Sequence, residues 1–298
     1  MNRLAAYNGS KYRERRRYLD LIAETARAHG RRTFLSPFLG MGGVEIGAHN
    51  IRTENGRHAQ LKRIIVGDLH DRVCNLFYVL QSRNLARELF RKVYWTAAGQ
   101  SFLDLACEPT DDPAEDAYRF FIRQMLAHSK SDPATDEPVM SVIYADDGGN
   151  NPARRLNKAF RNLHEWARTI RAGCWQIRNL DWFEFRAEAL AKKDRGQYMW
   201  FLDPPYHPDG RHKRLYSHEV DAEWYDRFLP SVLNLPGSVL LCSNGADAVQ
   251  RAFDGRPEWE VLEFEDMNDG KRLTVERIYL RRENRPTEIR AEQGVLFT

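Results

Sequence analysis

The chain has 298 residues, of which 42% are hydrophobic and 29% charged, with 45 Lys/Arg against 42 Asp/Glu and a net charge of +3. That length allows one large domain, or one domain with a sizeable insertion, around a real core. No run approaches 18 apolar residues, which excludes a membrane-spanning helix, and Met1-Asn2-Arg3-Leu4 opens no apolar signal region, so the expected location is cytoplasmic.

The charge is unevenly spread. Residues 1–32 carry nine bases against three acids (+6), residues 153–180 seven against one (+6), and residues 104–137 three against nine (−6). Basic segments are usually solvated faces; two of them flanking a base-modifying site point to nucleic acid. Cys74, Cys107, Cys174 and Cys242 form no C-x-x-C pair and read as reduced, structural cysteines.

In chain order, residues 11–29 read as a helix with Tyr18, Leu19, Ile22 and Ala26 on one side, ended by Gly30. Thr33-Phe34-Leu35 is a short strand leading into Ser36-Pro37-Phe38-Leu39-Gly40-Met41-Gly42-Gly43 and a short helix over 44–49. A charged loop, 52–60, precedes a second strand, 61–66, which ends at Gly67-Asp68. Residues 70–81 and 85–98 are helical, and Asp111-Asp112-Pro113 starts a helix running to about residue 128. Residues 129–138 are turn-rich, 139–144 are apolar and of strand length, and 146–152 form a break.

A basic amphipathic helix spans 154–171, followed by a strand over 174–177, Asn179-Leu180-Asp181-Trp182 at its exit, and a helix over 183–191. The apolar run 198–202 reads as a buried strand and opens directly into Asp203-Pro204-Pro205-Tyr206. A polar, basic loop covers 207–214, a helix 222–233 and a strand 238–242; 260–265 and 275–280 close as a strand pair. Strands alternating with helices imply an α/β parallel sheet with ligands at the strand exits. The block from 85 to 171 interrupts that rhythm and reads as an inserted, mainly helical substrate domain; 1–84 and 172–298 then form the catalytic domain.

The tetrapeptide at 203–206 carries the most chemistry. An exocyclic amino group on a nucleobase is a poor nucleophile, because its lone pair is delocalised into the ring. Acceptors placed on its two N–H bonds draw the hydrogens toward tetrahedral geometry and stabilise the positive charge that develops. Asp203 and the carbonyl of Pro204 supply two such acceptors, and the prolines fix the backbone that holds them. Tyr206 offers a ring face for an extruded base. The bland alternative is a stiff loop with a turn-forming Asp.

The Gly40/Gly42/Gly43 cluster lies between a strand and a helix, where backbone can approach a ligand. Asp68 follows Gly43 by 25 positions, close to the roughly 20 at which a doubly wound fold places an acid on ribose hydroxyls; it could equally cap the helix at 70. Asp181 could accept from an adenine amino group of a cofactor or cap the helix at 183. His164-Glu165 and His218-Glu219 do not continue to H-E-x-x-H, so no metal is expected.

These segments together carry a resemblance. Tyr7-Asn8-Gly9-Ser10-Lys11 resembles the opening motif of the Dam-like, DPPY-type (alpha-class) DNA adenine-N6 methyltransferases. Residues 37–42 look like their S-adenosylmethionine loop, Asp68 like their second acidic site, and Asp181-Trp182 like the acidic-aromatic pair at the cofactor adenine. Asp203-Pro204-Pro205-Tyr206 matches their catalytic motif, followed by a similar Tyr216-Ser217-His218-Glu219, and Lys271-Arg272 through Glu276 and Leu280 resembles their closing hairpin. The order of the motifs also fits, and orphan or phage-type members look closest. His70 stands where the family often has Asn, and no G-F-N-G-type stretch is present.

The resemblance implies a Rossmann-like S-adenosylmethionine-dependent sheet with an inserted target-recognition domain, acting on double-stranded DNA by base flipping. It implies Asp203, Pro204 and Tyr206 as catalytic residues, and Tyr7, Lys11, Phe38, Gly40, Gly42, Asp68, Asp181 and Trp182 around the cofactor. Lys11 would meet the cofactor carboxylate and Phe38 its methionine part. For DNA, the basic residues Arg154, Arg155, Lys158 and Arg161 of the amphipathic helix, and Arg211, Lys213 and Arg214 of the loop after Tyr206, are the expected phosphate contacts; a merely exposed loop is the alternative. The chain is expected to be a monomer or weak dimer. Competing readings are methylation of cytosine N4, RNA or a modified base, and a non-catalytic DNA-binding relative.

Overall fold

The computed structural model describes residues 4, 11, 15–48, 51–52, 58–59, 61–126, 152–210, 220–267 and 273–282. Their elements begin with α1 (Arg15–Ala28), β1 (Thr33–Ser36), α2 (Glu45–Ala48), β2 (Ile51–Arg52), β3 (His58–Ala59) and β4 (Arg63–Asp68). A helical run follows: α3 (Asp71–Gln81), α4 (Arg83–Tyr94), α5 (Gln100–Leu105), α6 (Pro113–Leu126) and α7 (Pro152–Ala172). The chain then alternates through β5 (Gln176–Asn179), α8 (Trp182–Leu190), β6 (Tyr198–Leu202), α9 (Ala222–Leu233), β7 (Ser238–Ser243) and α10 (Asp247–Phe253), and ends in β8 (Glu260–Met267) and β9 (Leu273–Arg281).

Seven strands form one sheet in the order β5-β4-β1-β6-β7-β9-β8. The first five are mutually parallel, and β9 and β8 add an antiparallel closing pair. The mixed α/β architecture is the one the alternating pattern implies. β1 pairs with β4 on one side and β6 on the other, so the order of connections reverses between β1 and β6. In an open α/β sheet that reversal leaves a crevice beyond the strand carboxyl ends. The exits of β1 and β6 are the glycine loop and the Asp203 tetrapeptide.

The sheet is covered on both faces. In β6 all five residues are buried, and they alternate in direction: Met199 and Phe201 join one core, Tyr198, Trp200 and Leu202 the other. The first core holds α1, α3, α4, α6 and α7; the second holds α8, α9 and α10. Phe77 of α3 stacks on Trp175 and meets Trp166 of α7 edge-on, so the helical block from 85 to 171 shares a continuous core with the sheet.

Some boundaries differ from the sequence expectation. α4 starts at Arg83, inside what was read as the catalytic segment, because Ser82 accepts from Leu85 N–H and caps it. Arg52, His58 and Ala59 of the expected loop 52–60, with Ile51 just before it, form an antiparallel pair, Ile51 opposite Ala59 and Arg52 opposite His58. α5 and α10 were not expected; both are short and lack a long apolar period. One 3-10 turn, Pro208–Gly210, occupies the start of the expected irregular loop. The expected apolar strand at 139–144 lies outside the described residues. Among the described residues no helix is long and apolar enough to cross a membrane.

Trp166 is fully buried where α7 meets α3. Trp166→Ala should cost about 3–5 kcal/mol and shift a single cooperative urea transition for the whole chain. Two separated transitions, with the sheet unaffected, would contradict a shared core.

Candidate active site

The glycine loop is held by the acid at the end of β4. Asp68 accepts from Gly40 N–H through Oδ2 at 2.8 Å and from His70 N–H through Oδ1 at 2.9 Å. These bonds use both carboxylate oxygens to tie the glycine loop to the start of α3. Asp68 is not the helix cap: His70 Nδ1 accepts from Arg72 N–H and is the N-cap of α3. Gly40 and Gly42 both have positive φ, 47° and 63°. A Cβ on Gly42 would stand 2.9 Å from Phe77 and 3.0 Å from Trp166, so this glycine serves packing as well as the turn.

Across the crevice, β8 and β9 close the sheet and bring Glu276 beside the tetrapeptide. Lys11 Nζ lies 2.5 Å from Glu276 Oε1 and 3.6 Å from Asp203 Oδ1, and donates to the Tyr206 hydroxyl. Tyr206 in turn donates to Glu276 Oε1 at 2.9 Å. Lys11 also stands 4.6 Å from the centroid of the Tyr206 ring. Three oxygens thus surround an ammonium that has three donors.

Burial sets the electrostatics. It would lower Lys11, but Asp203, Tyr206 and Glu276 outweigh it and hold the ammonium above the ordinary lysine range. Burial raises Asp203 to about 6 against the pull of Lys11, and the charge of Glu276 adds to the rise. Glu276 stays below the usual glutamate value: burial opposes this, yet Lys11 and hydrogen bonds from Lys11, Tyr18 and Tyr206 prevail. Of the two carboxylates sharing one lysine, Glu276 is therefore firmly ionised and Asp203 is close to protonation. Behind the glycine loop, burial lifts Glu45 to about 8, even though Ser36 Oγ donates to it at 2.7 Å and Val44 N–H at 3.2 Å; Asp203 contributes to that rise.

The tetrapeptide is pinned from neighbouring elements. Tyr225 of α9 donates to the Pro205 carbonyl at 2.9 Å, and Asn244, at the exit of β7, donates to the His207 carbonyl at 3.2 Å. Among the described residues Asn244 Oδ1 is buried without a hydrogen-bond partner, a desolvated acceptor at the exit of β7, the parallel neighbour of β6.

The remaining expected site residues fall into two groups. Asp181 is the N-cap of α8 in a reciprocal capping box with Glu184, leaving one carboxylate oxygen uncommitted to the cap. Trp182 is buried in the second core: it stacks on Phe38 and donates to Ser231 Oγ at 2.8 Å. Phe38 meets Trp224 and Phe228 edge-on and is only partly buried. Arg154, Lys158 and Arg161 are exposed on α7. Tyr7, the Arg155 side chain, Arg211, Lys213, Arg214 and residues 216–219 lie outside the described residues. Glu45, Tyr225 and Asn244 were not foreseen, and Glu276 was named only within the closing hairpin. A charged residue within the closing strand β9 was the one available signal for Glu276. Among the described residues no cluster of three or more His, Cys, Asp or Glu could hold a metal.

No family model matches the chain, and no curated protein matches it. What the geometry offers chemically is a desolvated hydrogen-bond acceptor with a tuned carboxyl, beside a glycine loop and an acid at the switch point of the sheet.

Glu276→Gln should release Lys11 wholly to Asp203 and remove one negative neighbour. Asp203 should then titrate below about 6, which carboxyl-carbon NMR can follow. An unchanged or higher value would contradict the shared-lysine arrangement.

Proposed function

We propose that this chain is an S-adenosylmethionine-dependent methyltransferase acting on the exocyclic N6 amino group of adenine in DNA. The observation that carries the reading is Asp203-Pro204-Pro205-Tyr206 at the exit of β6, with the Asp203 carboxyl beside Lys11 and Glu276 and facing the switch point. The β1 exit loop, with Gly40 tied to Asp68, supports a cofactor beside it. The residues present fit that group: Asp68 ends β4 beside the glycine loop, where a doubly wound sheet sets an acid for ribose hydroxyls, and Asp181 has a second oxygen for an adenine amino group. When bound, S-adenosylmethionine supplies an electrophilic methyl group on a sulfonium.

The chain's own residues then do the following. Asp203 and the Pro204 carbonyl accept the two hydrogens of the adenine amino group, freeing the nitrogen lone pair for attack. The positive charge that builds on nitrogen is met by the Asp203 carboxylate. The surplus amino proton would pass to Asp203, whose pKa of about 6 suits it to take and release a proton near neutrality. Lys11 and Glu276 hold Asp203 and Tyr206 in place and do not touch the base. Tyr206, tied by its hydroxyl to Glu276, keeps its ring fixed as a stacking surface. Burial excludes water, so these contacts act at low dielectric.

The helical block α4–α7 is proposed as the target-recognition part. Arg154, Lys158 and Arg161 give α7 an exposed basic stripe for duplex phosphates. In this reading DNA spans that stripe and the crevice, and the adenine is extruded into the pocket.

With methyl-labelled cofactor and adenine-containing duplex DNA, label should move to DNA. Asp203→Ala should lower that turnover at least ~100-fold with the fold intact. kcat/KM should fall about tenfold per pH unit below pH 6, since protonated Asp203 is no longer the acceptor. A mutant retaining a tenth of the activity, or a flat profile between pH 5 and 7, would remove Asp203 from the assigned role.

A further inference from the structure

α4 and α7 pack against each other antiparallel. Three contacts fix their register: Phe90 lies 4.0 Å from His164, Tyr94 lies 5.7 Å from Phe160, and Arg83 and Arg87 share a cleft with Arg168 and Arg171. This cleft has a volume of about 610 Å³. It is lined by the four arginines, with buried Ala86 and half-buried Phe90 between them and Ala172 at the rim; no carboxylate lines it. Arg171 already donates through Nη1 to the Leu80 carbonyl at 3.0 Å, which anchors the cleft to α3. Arg83, Arg87 and Arg168 are exposed, and none forms an ion pair among the described residues.

The cleft is remote from the candidate active site. Asp203 follows the carboxyl end of β6, whereas Arg168 and Arg171 end the helix that leads into the amino end of β5, parallel to the same sheet. Gln81, at the far end of α3, donates to the Trp175 carbonyl at 2.6 Å, placing the start of α4 at that same end. The two sites therefore lie at opposite ends of the strands.

Arginines on facing walls, each four residues of helix rising about 6 Å, repel one another unless an anion lies between them. Their forked guanidinium groups suit phosphate oxygens. The lining between the arginines is apolar and includes an aromatic ring, which inorganic phosphate or sulfate would leave unused. Arginines flanking an aromatic ring fit a single nucleic-acid strand, whose phosphates meet the arginines and whose base stacks on the ring. A double helix is too wide to enter between two packed helices and could touch only the rim.

We propose that the α4–α7 cleft is a second nucleic-acid site that holds an unpaired strand, with phosphates on Arg83, Arg87 and Arg168 and a base against Phe90. It goes beyond the methyl-transfer reading and does not depend on it.

Fluorescence anisotropy with a labelled 12-nucleotide oligothymidine tests this on the full chain. The triple variant Arg83→Gln/Arg87→Gln/Arg168→Gln is expected to bind at least tenfold more weakly. Its slope of log affinity against log salt should flatten by about 2, from roughly 0.7 per lost single-strand phosphate contact. Phe90→Leu, which keeps the lining apolar, is expected to weaken binding at least fivefold at unchanged salt slope. Arg251→Gln on α10 with Arg256→Gln just after it serves as the charge control and should leave binding unchanged, and circular dichroism confirms that each variant is folded. Asp203→Ala should also leave it unchanged, so failure of the methyl-transfer reading and failure of this one are distinguishable.

Four results would overturn the proposal: wild-type affinity and slope in the triple variant, an equal loss in the control or in Asp203→Ala, competition by blunt duplex but not by unlabelled oligothymidine, and displacement by polyglutamate but not by oligothymidine.

Discussion

A single buried lysine shared by two carboxylates is the interaction on which the site depends. Lys11 comes from the amino-terminal segment, Asp203 from the exit of a central strand and Glu276 from β9, the last strand in chain order. Burying these charges is costly unless each finds a partner, so the cluster forms only when all three segments are in place. The closing pair β8 and β9 therefore does more than cover an edge: it delivers the carboxylate that keeps Lys11 ionised and orients Tyr206. The imbalance of one cation against two acids also explains the chemistry. Glu276 takes the stronger share, and Asp203 is left at about 6.

The sheet order decides where that cluster acts. Because connections reverse between β1 and β6, the exits of these neighbouring strands diverge and leave space between them. The glycine loop lines one side, held by Asp68, and the tetrapeptide lines the other, held by Tyr225 and Asn244. Glu45 sits beneath, where a second ionised carboxylate so near Asp203 would be unfavourable; a value of about 8 keeps it protonated at neutral pH. Electrostatics at the base of the crevice are thus arranged so that Asp203 is the acid whose charge varies.

The local features were legible in the sequence. The apolar run at 198–202 and the helix at 222–233 appear with the same limits in the structure, because each carries its own periodicity or burial signal. The glycine loop, the tetrapeptide and the pairing of β8 with β9 follow from short stretches of chain. Long-range pairings were not legible. Tyr206 is 195 residues from Lys11, and Glu276 is a further 70 away, and no spacing rule links them. Asp181 and Trp182 carry structural duties that their place at a strand exit did not reveal: one caps α8 through a single carboxylate oxygen and the other packs in the second core. The basic helix was visible as a charge pattern, but its arginine-walled cleft with α4 required knowing that the two helices pack antiparallel.

The most direct measurement of the central claim is the identity of the modified base. Duplex DNA is incubated with the chain and S-adenosylmethionine, digested to nucleosides and analysed by mass spectrometry. The account requires N6-methyladenine to accumulate with time. Methylation confined to cytosine, or DNA unmodified by protein shown by calorimetry to bind the cofactor, would contradict it.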